Sequence, residues 1–384
     1  MAEEPVTKAV ASVIEGIQAP NILVMGATGV GKSTLINAVF GSDLATVGAG
    51  LPVTQDFDVY SNGLVNIYDS AGYELGKEEC FVDRILNFLA EKQQEGIDQQ
   101  IHLVWYIINA SSARVTIFEK KILDSTNQQE IPAIIVLSQC DRAREEEIQN
   151  VREALTSFKL NKVYDTLEIA AAPLLIRGQP ICEPFGLEEL VDKTIQLLPE
   201  IYTDAVRMAQ IVNLKSKREL AWKFIAAAAA VTFGSAWIPI PGAITGASWG
   251  AQESLANSIA SVYGFRYGRK FFPGIVQPEF KSFARGSVVG GSVGTLGLDI
   301  LRTLVPGPGN IIAGGTAASF IVITGLAYAS AFEAMAKAHI NPNDSEEINN
   351  FLSNSFPQEV KKYTDIVIKT TKDLMNVRDK FLNQ

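Results

Sequence analysis

The chain is poor in the residues that most often build metal and covalent-catalytic sites. It has only two histidines, His102 and His339, too few for a histidine metal cluster and ill-placed for a Ser-His-Asp triad. His102 opens an apolar run and reads as a packed residue. Three cysteines, Cys80, Cys140 and Cys182, are odd in number and widely spaced. Neither a disulfide framework nor a zinc site follows from them. Cys140 and Cys182 read as small buried residues in a reducing cytoplasm. Positive charge is also in deficit: the net charge of −9 at pH 7 argues against a nucleic-acid binder, and no DNA partner is expected. Met1 to Pro20 carries early acids and no long apolar core, so no signal peptide is expected. Two long stretches, Phe224–Gln252 and Thr303–Phe332, lack any charged residue.

At 384 residues the chain has room for about two domains. Val6, Val10, Val13, Ile14 and Ile17 fall on one helical face. That amphipathic helix, within residues 1–20, can pack on the following domain or pair with a helix from elsewhere. From Asn21 to about residue 200, apolar runs at 22–25, 64–68, 103–108, 133–137 and 167–171 alternate with helical stretches near 78–95, 115–124, 145–158 and 186–198. Such alternation predicts an α/β domain with a mostly parallel sheet and helices on both faces. Ser61-Asn62-Gly63 reads as a hairpin turn, making one sheet edge antiparallel. Residues 201–384 are expected to form a helical, glycine-rich hydrophobic domain with a polar helical tail.

The α/β part is organised around Asn21–Phe40, an apolar strand, a glycine-rich turn and a helix. Gly26-Ala27-Thr28-Gly29-Val30-Gly31-Lys32-Ser33 has the GxxxxGK[ST] spacing of a P-loop, whose backbone N–H groups cradle phosphate at a helix N-terminus. The plainer alternative is a glycine-rich strand-to-helix turn. On the P-loop reading Thr28, Gly29, Val30, Gly31, Lys32, Ser33 and Thr34 bind nucleotide. Lys32 reaches the β- and γ-phosphates and Ser33 ligates Mg²⁺.

Later elements name the base, in order. Asp69-Ser70-Ala71-Gly72 ends a strand with a DxxG pattern; Asp69 can hold Mg²⁺ through water, and the Gly72 N–H can meet the γ-phosphate. Thr54, in GLPVTQD, can close onto Mg²⁺ when the third phosphate is present. Asp141, in Ser138-Gln139-Cys140-Asp141, can accept two hydrogen bonds from the guanine N1–H and N2 amine. Ala171, after the last strand, offers a backbone N–H to the guanine O6. With these residues in view, the run GKSTLINAVFG, the threonine of PVTQD, DSAG and GLEELVDKTIQLLPE resemble the Era-like group of TRAFAC-class GTPases over about residues 20–200. The resemblance implies a GTP-to-GDP switch with Lys32, Thr54 and Gly72 acting in catalysis, Ser33, Thr54 and Asp69 at the metal, and Gln139 along the base. The C-terminal half resembles that of bacterial members with a hydrophobic, glycine-rich domain, in a layout like dynamin-related and immunity-related GTPases.

Three departures bear on chemistry. SQCD stands where the group has [NT]KxD, so Gln139 lacks the lysine charge. Tyr73 follows DxxG where Ras-like enzymes carry the water-orienting glutamine. Gly29 stands where potassium-activated relatives have asparagine. The expectation is slow intrinsic hydrolysis, completed by a partner or a second copy docking through the GTPase domain. Arg114 can supply a positive charge or be a surface residue at a helix start.

The uncharged stretches admit two readings, core helices of an α-domain or membrane entry. Basic flanks at Lys215, Lys217, Arg218 and Lys223, and an aromatic-basic segment at 266–285, favour anionic lipid. Glycines at 242, 246 and 250 and at 286, 290 and 294 form zipper-like rows, and two P-x-P-G-x-I segments hint at an internal duplication. The leading expectation is therefore a membrane-associated GTPase, peripheral or integral. A soluble assembly GTPase acting on ribosome or RNA, or a scaffold with little turnover, are the alternatives.

Overall fold

The computed structural model describes residues 3–41, 44, 57–70, 72, 78–112, 115, 117–160, 163–232, 247–265 and 317–384. The chain forms two compact units, one of Ile17–Asn213 and one of Met1–Gly16 with Leu214–Gln384.

The first unit is the α/β domain. Its strands are β1 (Asn21–Gly26), β2 (Phe57–Ser61), β3 (Asn66–Ser70), β4 (Leu103–Asn109), β5 (Ala133–Ser138) and β6 (Val163–Ile169), in the spatial order β2-β3-β1-β4-β5-β6. All pairings are parallel except β2 with β3. β1 and β5 are buried along their whole length, which is why they read as unbroken apolar runs rather than alternating ones. The β2–β3 hairpin forms where Ser61-Asn62-Gly63 places it: the Asn62 side chain accepts from the N–H groups of Leu64 and Val65, and Gly63 takes a φ of 80°.

Helices cover both sheet faces. One face packs Leu35, Ile36, Val39 and Phe40 of α1 (Lys32–Phe40) and Leu190 and Val191 of α2 (Leu187–Leu197) onto the sheet. On that side Trp105 stacks on Phe40 and donates its indole N–H to Thr194. The other face receives α3 (Glu78–Gln94), α4 (Ile117–Gln128) and α5 (Glu145–Ser157), with Phe81, Ile85, Leu89, Ile122 and Val151 buried. Between β6 and α2 a small hairpin, β7 (Leu174–Ile176) with β8 (Gln179–Cys182), stands apart from the main sheet.

Sequence reading drew the boundary near residue 200. In the structure α6 (Glu200–Ala209) still belongs to the first core, because Tyr202, Val206 and Ala209 are buried in the same cluster as Val39 and Trp105. The linker after it is tied down as well: Ile211 N–H donates to the Val39 carbonyl, and the buried Gln210 side chain bonds the backbone at Arg207, Val212 and Asn213. His102 is packed as expected, its ring tilted against that of Tyr202 and its Nδ1 accepting from Asn21 N–H.

The second unit is helical: α7 (Leu214–Ala230), α8 (Ala247–Val262), α9 (Ala317–Lys337), α10 (Ser345–Lys362) and α11 (Thr371–Leu382). The N-terminal helix α0, as we label Glu3–Glu15, packs on α7 and α8 with Val6 and Val10 buried, whereas Ile14 stays exposed. Of the two options left by its sequence, pairing with a distant helix is the one realised. The basic cluster that looked like a headgroup-facing flank partly turns inward. Lys217 is buried and donates to the Val262 carbonyl at the end of α8. Arg218 forms a two-bond pair with the buried Glu333 of α9, which Lys337 also meets. The large apolar residues Phe224 and Ile225 of α7 and Leu326 and Phe332 of α9 are core. Among the described residues no helix is long and apolar enough to cross a membrane. Both glycine rows except Gly250, both P-x-P-G-x-I segments and residues 266–285 lie outside the described residues. In the helical unit a tight glycine contact is described elsewhere: a Cβ on Gly325 would come within 2.7 Å of the Ile225 side chain, so the α9 backbone lies directly against that side chain of α7.

Candidate functional site

The site forms at the C-terminal ends of β1, β3, β5 and β6. β1 runs straight into the turn 27–31 and then α1. Gly29 and Gly31 hold φ values of 82° and 97°, a conformation that side-chain-bearing residues rarely adopt. Their N–H groups and the start of α1 make an anion cradle. Lys32 folds back over the turn and donates to the carbonyls of Gly26 and Ala27 at 3.2 and 3.4 Å. Burial lowers its pKa, while the Asp69 carboxylate opposes that shift. Gly72 lies directly against the turn, since a Cβ there would meet Thr28 at 2.6 Å. DxxG and P-loop are thus in contact.

Asp69 ends β3 beside α1, and the Ser33 hydroxyl donates to its Oδ2 at 3.5 Å. Its Oδ1 is buried without a partner among the described residues. Burial first, and the Asp58 carboxylate in addition, push the Asp69 pKa up to about 6 against the pull of Lys32 and Ser33. A buried carboxylate oxygen with no donor, next to a serine hydroxyl and a phosphate cradle, fits the oxygen-donor set a Mg²⁺ ion takes. Thr54, Tyr73 and Arg114 lie outside the described residues, as does Ala71.

The base end is a cavity of about 280 Å³ lined by Gly29, Val30, Gly31, Thr34, Gln139, Asp141 and Ala171, with Leu35, Ser138, Arg142, Ile169 and Ala172 completing it. The SQCD loop earns its shape residue by residue. Ser138 Oγ donates to the Val30 carbonyl at 2.7 Å. Gln139, at a φ of 57°, reaches the Gly29 carbonyl with Nε2 at 3.4 Å. Cys140 turns into the core and donates its thiol to Leu137, and burial pushes that thiol up to about 11. Asp141 is left facing the cavity, with the Arg142 guanidinium 3.6 Å from its Oδ2.

Most expected site residues therefore meet in one place: the P-loop, Gly72, Ser33 with Asp69, and Gln139, Asp141 and Ala171 around the cavity. Two contributors were missed. Ser138 ties the base loop to the P-loop; its signal was a hydroxyl at the end of a buried strand, which must find an acceptor. Arg142 beside Asp141 had no signal beyond adjacency.

Comparison with known proteins agrees with this geometry. The family described as "50S ribosome-binding GTPase" matches residues 21–139. GTPase Der of Halalkalibacterium halodurans is 25% identical over 186 residues, 47% of this chain and 37% of that protein. The chain thus spans little more than a third of that relative's length. Among solved structures, a probable GTP-binding protein EngB is 18% identical, with 46% of this chain and 97% of that one covered and a TM-score of 0.35. Elongation factor SelB of Methanococcus maripaludis, bound to the GTP analogue GppNHp, is 20% identical, covering 47% and 34% with a TM-score of 0.31. From its P-loop, its mostly parallel six-stranded sheet and the family matched over residues 21–139, the chain carries a P-loop GTPase domain with GTPase Der as a distant relative.

Proposed function

We propose that the chain binds GTP and GDP with Mg²⁺ and hydrolyses GTP slowly, as a switch whose output is the helical unit. The observation that carries this is the shared cavity in which Asp141 faces the P-loop glycines, so one ligand can touch both. Ser33 and Asp69 would hold Mg²⁺, which when bound would offset charge on the β- and γ-phosphates. Lys32 and the N–H groups of the turn supply the remaining positive potential, and Gly72 sits where its N–H can respond to the third phosphate. Ser138 and Gln139 keep the base loop at a fixed distance from the turn. The slow rate rests on Tyr73 standing after DxxG, with completion by a partner or by a second copy through the GTPase domain. Turnover that rises more than linearly with protein concentration supports self-activation, and near-zero turnover at every concentration supports a scaffold.

The test is nucleotide binding by wild type and Asp141→Asn. The variant turns one acceptor toward guanine N–H into a donor, so it should lose GTP and gain XTP. Equal affinity of wild type for ATP and GTP would sink the reading.

Membrane association is proposed on the sequence of residues 266–285, where Arg and Lys alternate with Phe and Tyr, and not on α7 or α9, whose Phe224, Ile225, Leu326 and Phe332 are already buried. Flotation with anionic liposomes tests it. If the full chain stays in the soluble fraction with every lipid and nucleotide tried, a ribosome- or RNA-directed GTPase takes its place, a reading favoured by the description of the matched family.

A further inference from the structure

Strands β2 and β3 carry a like-charge pair that neither the P-loop nor the guanine-reading loop explains. Asp58 is the register partner of Asp69 in the antiparallel ladder. Residues directly opposite in such a pair point to the same face, with Cβ atoms about 4.5–5.5 Å apart, and like charges there are destabilising. The face is identified by its neighbours. Phe57 is buried in the cluster on the far side of the sheet, whereas Ile67 and Tyr60, which alternate with Asp69 and Asp58, pack on the side of α1. Asp58, Tyr60 and Asp69 therefore line the side that carries Ser33. Their mutual influence is consistent with this: the Tyr60 phenol is pushed up by burial and then by the carboxylates of Asp69 and Asp58.

A charged residue on an edge strand ordinarily serves to discourage strand pairing, and an exposed Asp58 would do so on either face. On the α1 face it faces Asp69, which is only 7% exposed and has Oδ1 without a partner among the described residues. A cation between the two removes both the repulsion and the unmet acceptor. Resting on the Mg²⁺·nucleotide reading above, we propose that Asp58 is a second carboxylate of the metal site, accepting hydrogen bonds from water on a Mg²⁺ ion held by Ser33 and Asp69. Mg²⁺ loses its waters reluctantly and is commonly bound through few direct ligands plus a retained water shell, so an outer carboxylate has a defined role. It raises affinity for the ion, and in the ion's absence it adds negative charge that repels the nucleotide phosphates. Asp58 thereby makes nucleotide retention more dependent on Mg²⁺ than Asp69 alone would.

The experiment loads the full chain with a fluorescent GDP analogue and measures its release rate across free Mg²⁺ concentrations and in EDTA, without reliance on turnover. Asp58→Asn should raise the Mg²⁺ concentration for half-maximal retention by about tenfold, the size of effect seen for groups that orient metal ligands. The same variant should release the analogue no faster than wild type in EDTA. Asp58→Glu, which keeps the charge on the same strand, should stay near wild type. An unchanged Mg²⁺ midpoint in Asp58→Asn, with wild type retaining nucleotide in a Mg²⁺-dependent way, overturns the role of Asp58 and leaves the GTPase reading intact. Release accelerated by the same factor with and without Mg²⁺ also overturns it, because that marks general loosening of the site. Failure of wild type to retain the analogue at any Mg²⁺ concentration defeats the nucleotide reading itself, and this inference with it.

Discussion

Asp69 of the α/β unit and the α7–α9 ion pair of the helical unit handle buried charge in opposite ways. In the α/β unit, Asp69 is buried at a strand end with one oxygen unpartnered among the described residues, near the glycine-rich turn before α1. In the helical unit the buried Glu333 of α9 is met by Arg218 of α7 and by the exposed Lys337 one turn further along α9, and the buried Lys217 of α7 donates to the Val262 carbonyl of α8. Buried polar atoms are normally satisfied within the protein. An unmet carboxylate oxygen beside the P-loop is what the proposed Mg²⁺ site calls for, and a set closed on itself marks a structural joint. The ion pair of α7 and α9 thus belongs to folding, despite lying in a stretch whose basic residues looked like a lipid flank.

The largest expected effect tests that contrast directly. Glu333→Gln leaves Arg218 buried without its counter-charge and should cost the helical unit about 3–5 kcal/mol. It should be read as a lowered urea midpoint for that unit, with GTP binding retained. Gly325→Val comes next. It drives a branched side chain into Ile225, and overpacking of this kind costs about 1–3 kcal/mol; thermal unfolding measures it. A gain in stability would mean that α7 and α9 have slack there.

Lys217 sharpens the comparison through pH. Burial lowers its pKa from 10.5 to about 7 in the folded chain. Between those two values the unfolded chain binds more protons, so stability contributed by this residue rises as pH climbs from 7 toward 10.5. Lys217→Met should flatten that rise and lift the melting temperature most at and below pH 7. An unaltered pH profile would show that the ammonium is well solvated. The smallest effect belongs to the α/β unit: Ser138→Ala removes the bond to the Val30 carbonyl, worth about 0.5–1.5 kcal/mol. It should weaken GTP binding while leaving guanine over adenine selectivity in place, because Asp141 is untouched. Loss of selectivity would mean that Ser138 shapes the base pocket itself.

Legibility differed between the units for a physical reason. Strand–turn–helix at 21–40 and the Asn62-Gly63 hairpin were readable because each depends on local backbone geometry. The end of the first unit was misplaced near residue 200 because α6 is amphipathic in its own right, and nothing in it says which core receives Tyr202 and Val206. Gly325 was passed over in favour of regularly spaced glycines; what makes it matter is Ile225 on another helix.

By itself the sequence determined the P-loop and the alternation that builds a mostly parallel sheet, both consequences of short-range spacing and side-chain chemistry. Tertiary structure alone decided that the N-terminal helix packs on α7 and α8, that Lys217 and Arg218 point inward, and that Asp58 stands opposite Asp69. The first two depend on residues far apart in the chain sharing one face, which neither periodicity nor composition encodes; the third depends on the register that the β2–β3 hairpin takes.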